Sequence, residues 1–332
     1  MAERAGVGLS TVSRVVSGKG GVAKAKVRAV ERAVRELDYS RNDFAHTLRT
    51  GTAATIGVIV TKISDPFFST LVGAIETAAQ KRDQLVLVAS ATDQAEEGVR
   101  VIRRVVRRRL DGLIIVAPEE ADLSFLKREL DAGTPLVFVD RPPLHVFRDA
   151  VDTVLVDNQR GAADAVVHLS QAGHSRIACL AHVAGRFTSE QRQAGYARGL
   201  HEAGLAWDPA LVVMIEDDVE SCVEALVELQ KLPHPPTAVF TTNSRTTKVT
   251  LEAFRLLDFH PAIVAFDDFD LATLMVPPTT TIAQDPRSIG EVAAELLFDR
   301  IGGFAGASRR VVLDTRLIER GSGESPPPSS HG

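Results

Sequence analysis

Near the start of the chain, Arg14 is the residue whose type and position best suit binding to another molecule. It follows the segment Ala5-Gly6-Val7. We expect a first helix to end at Ala5, Gly6 to supply a tight turn, and Val7 to pack between the two helices. Ser10 is then placed to cap the next helix by accepting a backbone N–H with its hydroxyl. The spacing predicts a helix-turn-helix with Arg14 on its exposed face, where a guanidinium can bind guanine O6 and N7 or a phosphate. An exposed arginine in an ordinary small helical domain is the alternative, and Arg14 alone does not decide between the two.

The helices around this turn are predicted from the spacing of their apolar side chains. In the helix that carries Arg14, the core-facing residues are expected to be Val12, Val15 and Val16, and the outward-facing ones Leu9, Ser10, Ser13 and Arg14. A third helix is predicted from the apolar stripe Val27, Val30, Val34 and Leu37, with Tyr39 closing the unit.

Charge is distributed unevenly along the chain. The net charge is −5, but residues 1–50 hold ten Lys and Arg against five Asp and Glu. The first fifty residues are therefore basic and the remainder acidic, which favours a polyanionic partner for the N-terminal part only. A charge run is also typical of a solvated surface, so this asymmetry supports the helix-turn-helix without establishing it.

Patterns that would indicate an enzyme, a metal site or a membrane protein are missing from the sequence. It has no G-x-S-x-G, H-E-x-x-H or C-x-x-C pattern, and Lys19–Lys24 resembles a phosphate-binding loop without a preceding strand or a following Ser or Thr. We expect Cys179 and Cys222 to be small buried groups, and the basic run 103–109 to be a solvated helix end. Three histidines are predicted to be structural or surface groups: His168, His174 and His182. We therefore expect no catalytic residues, no metal, no cofactor, no membrane span and no secretion signal, hence a cytoplasmic protein.

Residues after about 53 alternate between short apolar runs and longer amphipathic stretches. The runs are four or five residues long and rich in β-branched side chains, as in parallel strands that are buried on both faces. They are 56–60, 85–88, 112–116, 136–139, 154–156, 177–180, 211–215, 238–240 and 263–266. Nine strands are more than we expect in a single sheet. The sequence therefore predicts an α/β fold with two doubly wound subdomains and a ligand at the carboxyl ends of their strands.

An ordered series of motifs resembles the lactose/galactose-repressor (LacI/GalR) family over nearly the whole chain. The motifs are Ala5-Gly6-Val7, Thr11-Val12-Ser13-Arg14-Val15-Val16, Glu36-Leu37-Asp38-Tyr39, Asn42 with Ala45-His46-Thr47-Leu48, Ile56-Gly57-Val58-Ile59, Asp65-Pro66-Phe67-Phe68, Asp111-Gly112-Leu113-Ile114, Gly173-His174-Ser175-Arg176-Ile177-Ala178, Arg192-Gln193-Ala194-Gly195-Tyr196, Phe266-Asp267-Asp268 and Pro278-Thr279-Thr280-Thr281-Ile282. The resemblance implies a helix-turn-helix head followed by two α/β subdomains of periplasmic-binding-protein type. It implies a homodimeric transcriptional regulator, a repressor in most members, that binds an operator in double-stranded DNA and a small effector.

Site residues follow from the resemblance position by position. It places DNA contacts at Leu9, Ser10, Thr11, Arg14, Asn42 and Leu48. The segment 42–49 would be a hinge helix that folds on the operator, with Leu48 wedged into the minor groove. A linker leucine without such a role is the alternative for Leu48. The effector-binding residues would be Phe67, Phe68, Asp140, Arg192, Asn243, Asp267 and Gln284.

The chemistry of these effector residues suits a polar ligand. A carboxylate such as that of Asp267 accepts hydrogen bonds from two hydroxyls of a sugar, and Arg192 offers a fork of donors. Structural ion pairs beside the cleft are the alternative for these two residues. Ser244 stands where sugar-binding relatives often have Asp, which leaves a nucleoside, a sugar acid or another polyol open as effector.

The chain departs from the family pattern near its beginning. The first family helix starts several residues upstream of Ala2, and Ala23, Lys26 and Arg41 replace a usual Ser, Thr and Pro. We predict a shortened head over 1–41, a hinge and linker over 42–52, a two-lobed effector and dimerisation domain over 53–319, and a disordered tail over 320–332. A sugar receptor without DNA function and an α/β enzyme are the alternative functions, and DNA binding separates the first of these from a regulator.

Overall fold

A computed structural model describes residues 1–16, 21–37, 53–92, 94–143, 145–147, 149–182, 187–216 and 218–328. These residues form two compact units, Met1–Ala53 and Ala54–Gly332, which are described separately. Among the described residues, no helix is long and apolar enough to cross a membrane.

The first unit contains three short helices, α1 (Ala2–Ala5), α2 (Leu9–Val16) and α3 (Lys24–Glu36). Gly6 adopts the left-handed conformation with φ of 63°, which a residue without Cβ adopts at little cost, and so turns the chain from α1 into α2. The single turn of α1 is tied to α3 by an ion pair of 2.7 Å between Arg4 Nε and Glu36 Oε2. The predicted helix-turn-helix is present.

Three details of this unit differ from the sequence prediction or sharpen it. The predicted cap at Ser10 is wrong, because α2 begins at Leu9 and the Gly8 carbonyl accepts the first helical hydrogen bonds from the amides of Thr11 and Val12. Leu37 is 48% exposed, so the predicted apolar stripe ends before it, and Ala33 is buried beside Val30 instead. Ala23, which replaces a usual Ser, occupies the N-cap position of α3, so no side chain caps that helix.

The second unit has two lobes, each built on a six-stranded sheet. The N-lobe sheet has the order β11-β5-β4-β3-β1-β2 with every pair parallel, and the C-lobe sheet has the order β12-β10-β9-β8-β6-β7 with only β12 antiparallel. The strands are β1 Thr55–Val60, β2 Leu85–Ser90, β3 Leu113–Ile115, β4 Leu136–Val139, β5 Asp152–Val156, β6 Ile177–His182, β7 Val212–Ile215, β8 Ala238–Thr241, β9 Ala262–Phe266, β10 Thr280–Ala283, β11 Arg310–Leu313 and β12 Arg316–Ile318. The nine predicted strands are confirmed as β1 to β9.

Helices cover both faces of each sheet, as a doubly wound fold requires. They are α4 Pro66–Gln80, α5 Ala95–Val106, α6 Leu126–Asp131, α7 Asn158–Gln171, α8 Phe187–Glu202, α9 Val219–Gln230, α10 Ser244–Leu257 and α11 Pro286–Ile301. Each lobe has two apolar cores, one on either face of its sheet. The sheets therefore end at fixed positions, and the loops at their carboxyl ends are held by packed scaffolds.

The chain passes between the lobes three times. It leaves β5 of the N-lobe at Asp157 and enters α7, which packs in the core of the C-lobe. It returns through Gln284 and Asp285 between β10 and α11, and crosses again through Asp314 and Thr315 between β11 and β12. Three short crossings between two lobes with separate cores are an arrangement that allows hinge motion around a ligand.

The C-terminal segment contradicts the predicted disorder of residues 320–332. Residues 320–328 are ordered against the C-lobe, where the Ser322 hydroxyl donates to the Ile263 carbonyl at 2.6 Å and accepts from the Thr280 amide at 2.8 Å. Glu324 accepts hydrogen bonds from the Thr280 hydroxyl at 2.9 and 3.1 Å and lies 2.5 Å from His168 Nε2. Polar side chains with specific partners hold the segment, although its composition is typical of disorder. The remaining residues, 329–332, lie outside the described part.

Candidate effector cleft and DNA-binding head

A cavity of about 440 Å³ lies between the two lobes, at the carboxyl ends of their strands. Its lining includes all seven side chains that the sequence singled out for an effector: Phe67, Phe68, Asp140, Arg192, Asn243, Asp267 and Gln284. The first three belong to the N-lobe, and the next three to the C-lobe. Gln284 lies on a crossing between them. The fold therefore gathers residues more than 200 positions apart into one pocket large enough for a small ligand.

Asp140 and Asp267 occupy corresponding places in the two lobes. Asp140 directly follows β4 and Asp267 directly follows β9, and their φ angles are 67° and 71°. Left-handed backbone is uncommon for residues other than glycine, although Asp and Asn tolerate it best. Two such residues that line one cavity indicate a functional constraint, because uncommon backbone conformations tend to occur at binding sites.

Arg192 on α8 is the most strongly held of the seven. Its Nε donates to Asn158 Oδ1 at 2.8 Å and its Nη1 donates to the Thr242 carbonyl at 2.6 Å. Nη1 also lies 3.2 Å from Asp267 Oδ2, and the guanidinium stacks 3.8 Å from the Phe266 ring centroid. With only 4% of the residue exposed, the guanidinium is fixed in place before any ligand arrives. The ion pair that was the alternative interpretation is thus present, and it lies in the cavity wall.

Gln284 and Asn243 differ in how much of their side chain a ligand can use. Gln284 Nε2 donates to Asp267 Oδ1 at 2.5 Å, while Gln284 Oε1 is buried without a hydrogen-bond partner among the described residues. Asn243 Oδ1 caps α10 by accepting from the amides of Arg245 and Thr246, both at 2.9 Å. The carbonyl of Asn243 is therefore occupied, and the unsatisfied acceptor of Gln284 is suited to a ligand hydroxyl.

Phe67 and Phe68 form the apolar wall of the cavity and differ in how deeply each is buried. Their rings meet edge to face with centroids 5.1 Å apart. Phe68 is 8% exposed and belongs to the N-lobe core, whereas Phe67 is half-buried against it. Phe67 is therefore the ring with surface to offer a ligand, and Phe68 supports it from behind.

Several lining residues were not predicted from the sequence. They are chiefly Asp65, Arg141, His182, Lys248, Asp268, Phe269 and Arg320. His182 ends β6 and lines the cavity, so the sequence prediction of a structural or surface role for it stays a prediction. Arg141 lies 3.4 Å from Asp140 Oδ2 and 3.3 Å from Glu119 Oε1. Proximity to a strand end, the signal that identified Asp140, would also have found Arg141 and His182.

Arg320 comes from the segment that was predicted to be disordered. Its Nη1 and Nη2 donate to the two carboxylate oxygens of Asp268 at 2.7 and 2.6 Å, and Nη1 also donates to the Thr279 carbonyl at 3.0 Å. Burial alone would raise the pKa of the Asp268 carboxyl, but the hydrogen bonds and charge of Arg320 hold it below its ordinary value. No local pattern could reveal a pair separated by 52 residues.

The predicted DNA-contacting residues of α2 lie at the surface of the first unit. Leu9 is 80% exposed, Ser10 and Arg14 are exposed, and Thr11 is half-buried. An exposed leucine at the start of a short helix is available for contact with another molecule. The other two residues predicted to contact DNA, Asn42 and Leu48, lie outside the described residues.

Family comparisons match both units. Residues 1–42 match the model for bacterial regulatory proteins of the lacI family, and residues 53–320 match the model for periplasmic binding proteins and the sugar binding domain of the LacI family. The HTH-type transcriptional repressor CytR of Escherichia coli K12 is 31% identical over 97% of this chain and 94% of its own length. The chain belongs to the LacI family. The ribose operon repressor of the same organism is 29% identical over 97% of this chain and 98% of its own length.

Solved LacI-family structures share the fold. A lac repressor dimer bound to operator superposes with a TM-score of 0.84 over 98% of this chain and 97% of its own, at 24% identity. A complex of the transcriptional regulator CelR with cellobiose, 31% identical, has a TM-score of 0.72 over 97% of this chain and 98% of its own. The predicted fold class, a helix-turn-helix head with two α/β subdomains of periplasmic-binding-protein type, is therefore confirmed.

Proposed function

We propose that this LacI-family member is a DNA-binding transcriptional repressor whose operator affinity is controlled by a small polar effector. The observation that carries the proposal is the cavity between the lobes, on which two left-handed aspartates and a fixed arginine converge. It occurs in a chain that also has a helix-turn-helix with an exposed polar face. CelR with cellobiose and an Enterococcus faecium LacI-family regulator with bound ribose show what such relatives hold.

We propose that the cavity residues contact different parts of the effector. Asp140 and Asp267 accept hydrogen bonds from hydroxyls, Arg192 donates to a ligand oxygen, and Phe67 covers an apolar face. Gln284 lies on a crossing segment, so a ligand bonded to its Oε1 contacts the part of the chain that bends when the lobes move. A ligand that binds one lobe arrangement better than the other shifts the population toward it. This population shift is what changes the affinity of the head for its operator.

The head is proposed to bind the major groove through Leu9, Ser10, Thr11 and Arg14, with 1–41 as its extent. Residues 42–52 then serve as hinge helix and linker, with Asn42 as a DNA contact and Leu48 as the minor-groove wedge. Residues 53–319 form the effector and dimerisation domain. Regulation, not catalysis, is the activity we assign, and it takes place on operator DNA in the cytoplasm.

The regulator is proposed to act as a homodimer, like the lac repressor dimer on its operator. A single small helix-turn-helix head binds DNA weakly. A dimer with two-fold symmetry binds a palindromic operator with both heads, because the two share that symmetry. Strand β2 at the edge of the N-lobe offers a suitable surface, because its apolar residues Leu85, Leu87 and Val88 are 71%, 37% and 38% exposed. A parallel-sheet edge with exposed leucine and valine favours a protein partner over water.

Fluorescence anisotropy against a pool of randomised palindromic duplexes, at two salt concentrations, tests this function. We expect saturable, sequence-selective binding of two chains per duplex with a steep salt dependence. Arg14→Ala should lose about 1–3 kcal/mol of selective binding, which is about five- to 150-fold in affinity. Arg104→Ala removes an exposed cation from α5 as a matched control and should change nothing. A chain that binds a sugar but no duplex would be a receptor without DNA function and would overturn the proposal.

A further inference from the structure

The amino-terminal edge of the N-lobe sheet carries exposed cations on two neighbouring turns. One turn joins α4 to β2, and the other joins α5 to β3. This basic edge consists of Lys81, Arg82, Arg107, Arg108 and Arg109. Residues 51–332 hold 28 Lys and Arg against 38 Asp and Glu, so the basic edge stands out in an otherwise acidic part of the chain.

The chain enters the N-lobe between these two turns. On one side the Leu85 amide donates to the Ala54 carbonyl at 2.9 Å, and on the other the Asp111 amide donates to the Thr55 carbonyl at 2.9 Å. Leu85 begins β2 just after the first turn, and Asp111 comes just after the second turn, before β3. The basic edge therefore flanks the point at which the chain arrives from the helix-turn-helix head.

Most of these cations have no counter-ion within the described part of the chain. Arg82 is the engaged one, since its Nη1 donates to the Ala78 carbonyl at 3.1 Å and its guanidinium stacks 4.6 Å from the Phe298 ring centroid. The other four have no ion pair and no side-chain hydrogen bond among the described residues. Two carboxylates lie next to the turns, those of Asp83 and Asp111, so five cations outnumber the neighbouring anions.

The helix dipole explains only some of this charge. It favours cations at the carboxyl end of a helix, which accounts for Lys81 and Arg107, the residues that cap α4 and α5. Arg109 lies beyond the end of α5 and has φ of 52°. Left-handed backbone is uncommon for a residue with a long side chain, whereas glycine adopts it readily. An arginine at a position that suits glycine indicates that its guanidinium has a use that offsets the strain.

We propose that the basic edge binds the phosphate backbone of the DNA duplex that the head holds. Exposed lysine and arginine side chains without counter-ions suit phosphates, and such contacts carry no information about base sequence. Because the head is covalently joined to the N-lobe at this edge, a duplex bound by the head raises the local concentration of phosphate there. The inference rests on the proposed DNA-binding function and adds a sequence-independent contact to it.

The salt dependence of DNA affinity, measured with the full chain, tests the proposal. Anisotropy titrations at several potassium chloride concentrations compare the duplex selected from the randomised pool with an unrelated duplex of equal length. Each phosphate contact that is lost reduces the slope of log affinity against log salt by about 0.9. We expect Arg109→Gly and Lys81→Ala each to reduce the slope by about this amount per chain. Both should weaken binding to the two duplexes by the same factor, about two- to fivefold.

Two exposed arginines provide matched controls. Arg104→Ala changes α5 before the second turn, and Arg255→Ala changes the last turn of α10 in the C-lobe. Both variants should keep the wild-type slope. Arg109→Gly should not lower the midpoint of thermal unfolding, because glycine relieves the left-handed backbone. Weaker DNA binding by Arg109→Gly with an unchanged or higher midpoint therefore reports the lost guanidinium and not a damaged fold.

The outcomes separate this inference from the proposed function. Wild-type slopes in both Arg109→Gly and Lys81→Ala would overturn the inference and leave the proposed function intact. A wild-type chain that selects no duplex from the pool would overturn the proposed function, while the unrelated duplex would still measure the contribution of the basic edge. A wild-type chain that binds neither duplex would overturn both.

Discussion

The two left-handed aspartates that line the cavity, Asp140 and Asp267, allow the cost of backbone strain to be measured separately from the contribution of the carboxylate. The Asp267 carboxylate accepts from Gln284 Nε2 at 2.5 Å and pairs with Arg192 Nη1 at 3.2 Å, and the Asp267 backbone has φ of 71°. Three replacements separate these features. Asparagine keeps the size and tolerates the left-handed backbone, glycine keeps only the backbone freedom, and alanine keeps neither.

The expected losses of unfolding free energy follow from these contacts. Asp267→Asn converts a charged hydrogen bond into a neutral one and leaves the buried Arg192 guanidinium without its anion, a loss of about 1–2 kcal/mol. Asp267→Gly removes both hydrogen bonds and should cost about 2–3 kcal/mol. Asp267→Ala adds the cost of a left-handed Cβ, about 1–2 kcal/mol more. The order of stability is therefore wild type, asparagine, glycine, alanine.

Urea denaturation followed by circular dichroism measures these differences, with a shared m-value as the sign that the unfolded state is unchanged. Asp140, with φ of 67° in the other lobe, is the matched control for the backbone effect. Asp140→Ala should likewise be about 1–2 kcal/mol less stable than Asp140→Gly. Equal stability of the glycine and alanine variants at both positions would refute the strain argument. Wild-type stability and sugar binding in Asp267→Asn would refute the role of the charge.

Two further predictions concern groups that hold the second unit together. The fully buried Asp152 accepts from Arg300 and Arg309, so Asp152→Asn should lose about 3–5 kcal/mol of unfolding free energy in urea at neutral pH. Burial would raise the pKa of the Asp152 carboxyl, but the two arginines hold it below its ordinary value. The advantage of the wild type should therefore be complete above about pH 4 and shrink as the pH falls through the lowered pKa, whereas a pH-independent gap would contradict this account. Removal of residues 319–332 should lower the midpoint of thermal unfolding, because Thr280 and His168 lose their contacts with Glu324; an unchanged midpoint would show that the segment adds no stability.

Much of the fold and of the candidate site follows from the sequence because its evidence is local. A run such as Leu136–Val139 is apolar throughout because both faces of its strand are buried, and that pattern is visible without coordinates. Polar residues directly after such runs, Asp140 and Asp267 among them, must lie at the carboxyl edge of a parallel sheet. The turn at Gly6 and the exposed Arg14 are likewise specified within a few residues.

Strands β10 to β12 were not predicted, because the evidence for them is not local. The β10 sequence Thr280-Thr281-Ile282-Ala283 is polar in its first half, yet Thr280 and Thr281 are fully buried. Their hydroxyls are satisfied by Glu324 and Asp268, which no hydrophobic period can reveal. β11 and β12 are short edge strands with partly exposed residues, so neither shows the uniform burial that identified the others.

By itself the sequence determined the class of fold and the helix-turn-helix, because buried strands and tight turns leave a local pattern. Its resemblance to the LacI family indicated the seven residues of the cavity wall. Only the tertiary structure decided that residues 320–328 are ordered and that Arg320 reaches the cavity to bind Asp268. These features depend on pairs of side chains from distant parts of the chain, where the attraction between charges and the need to satisfy buried polar groups act through space.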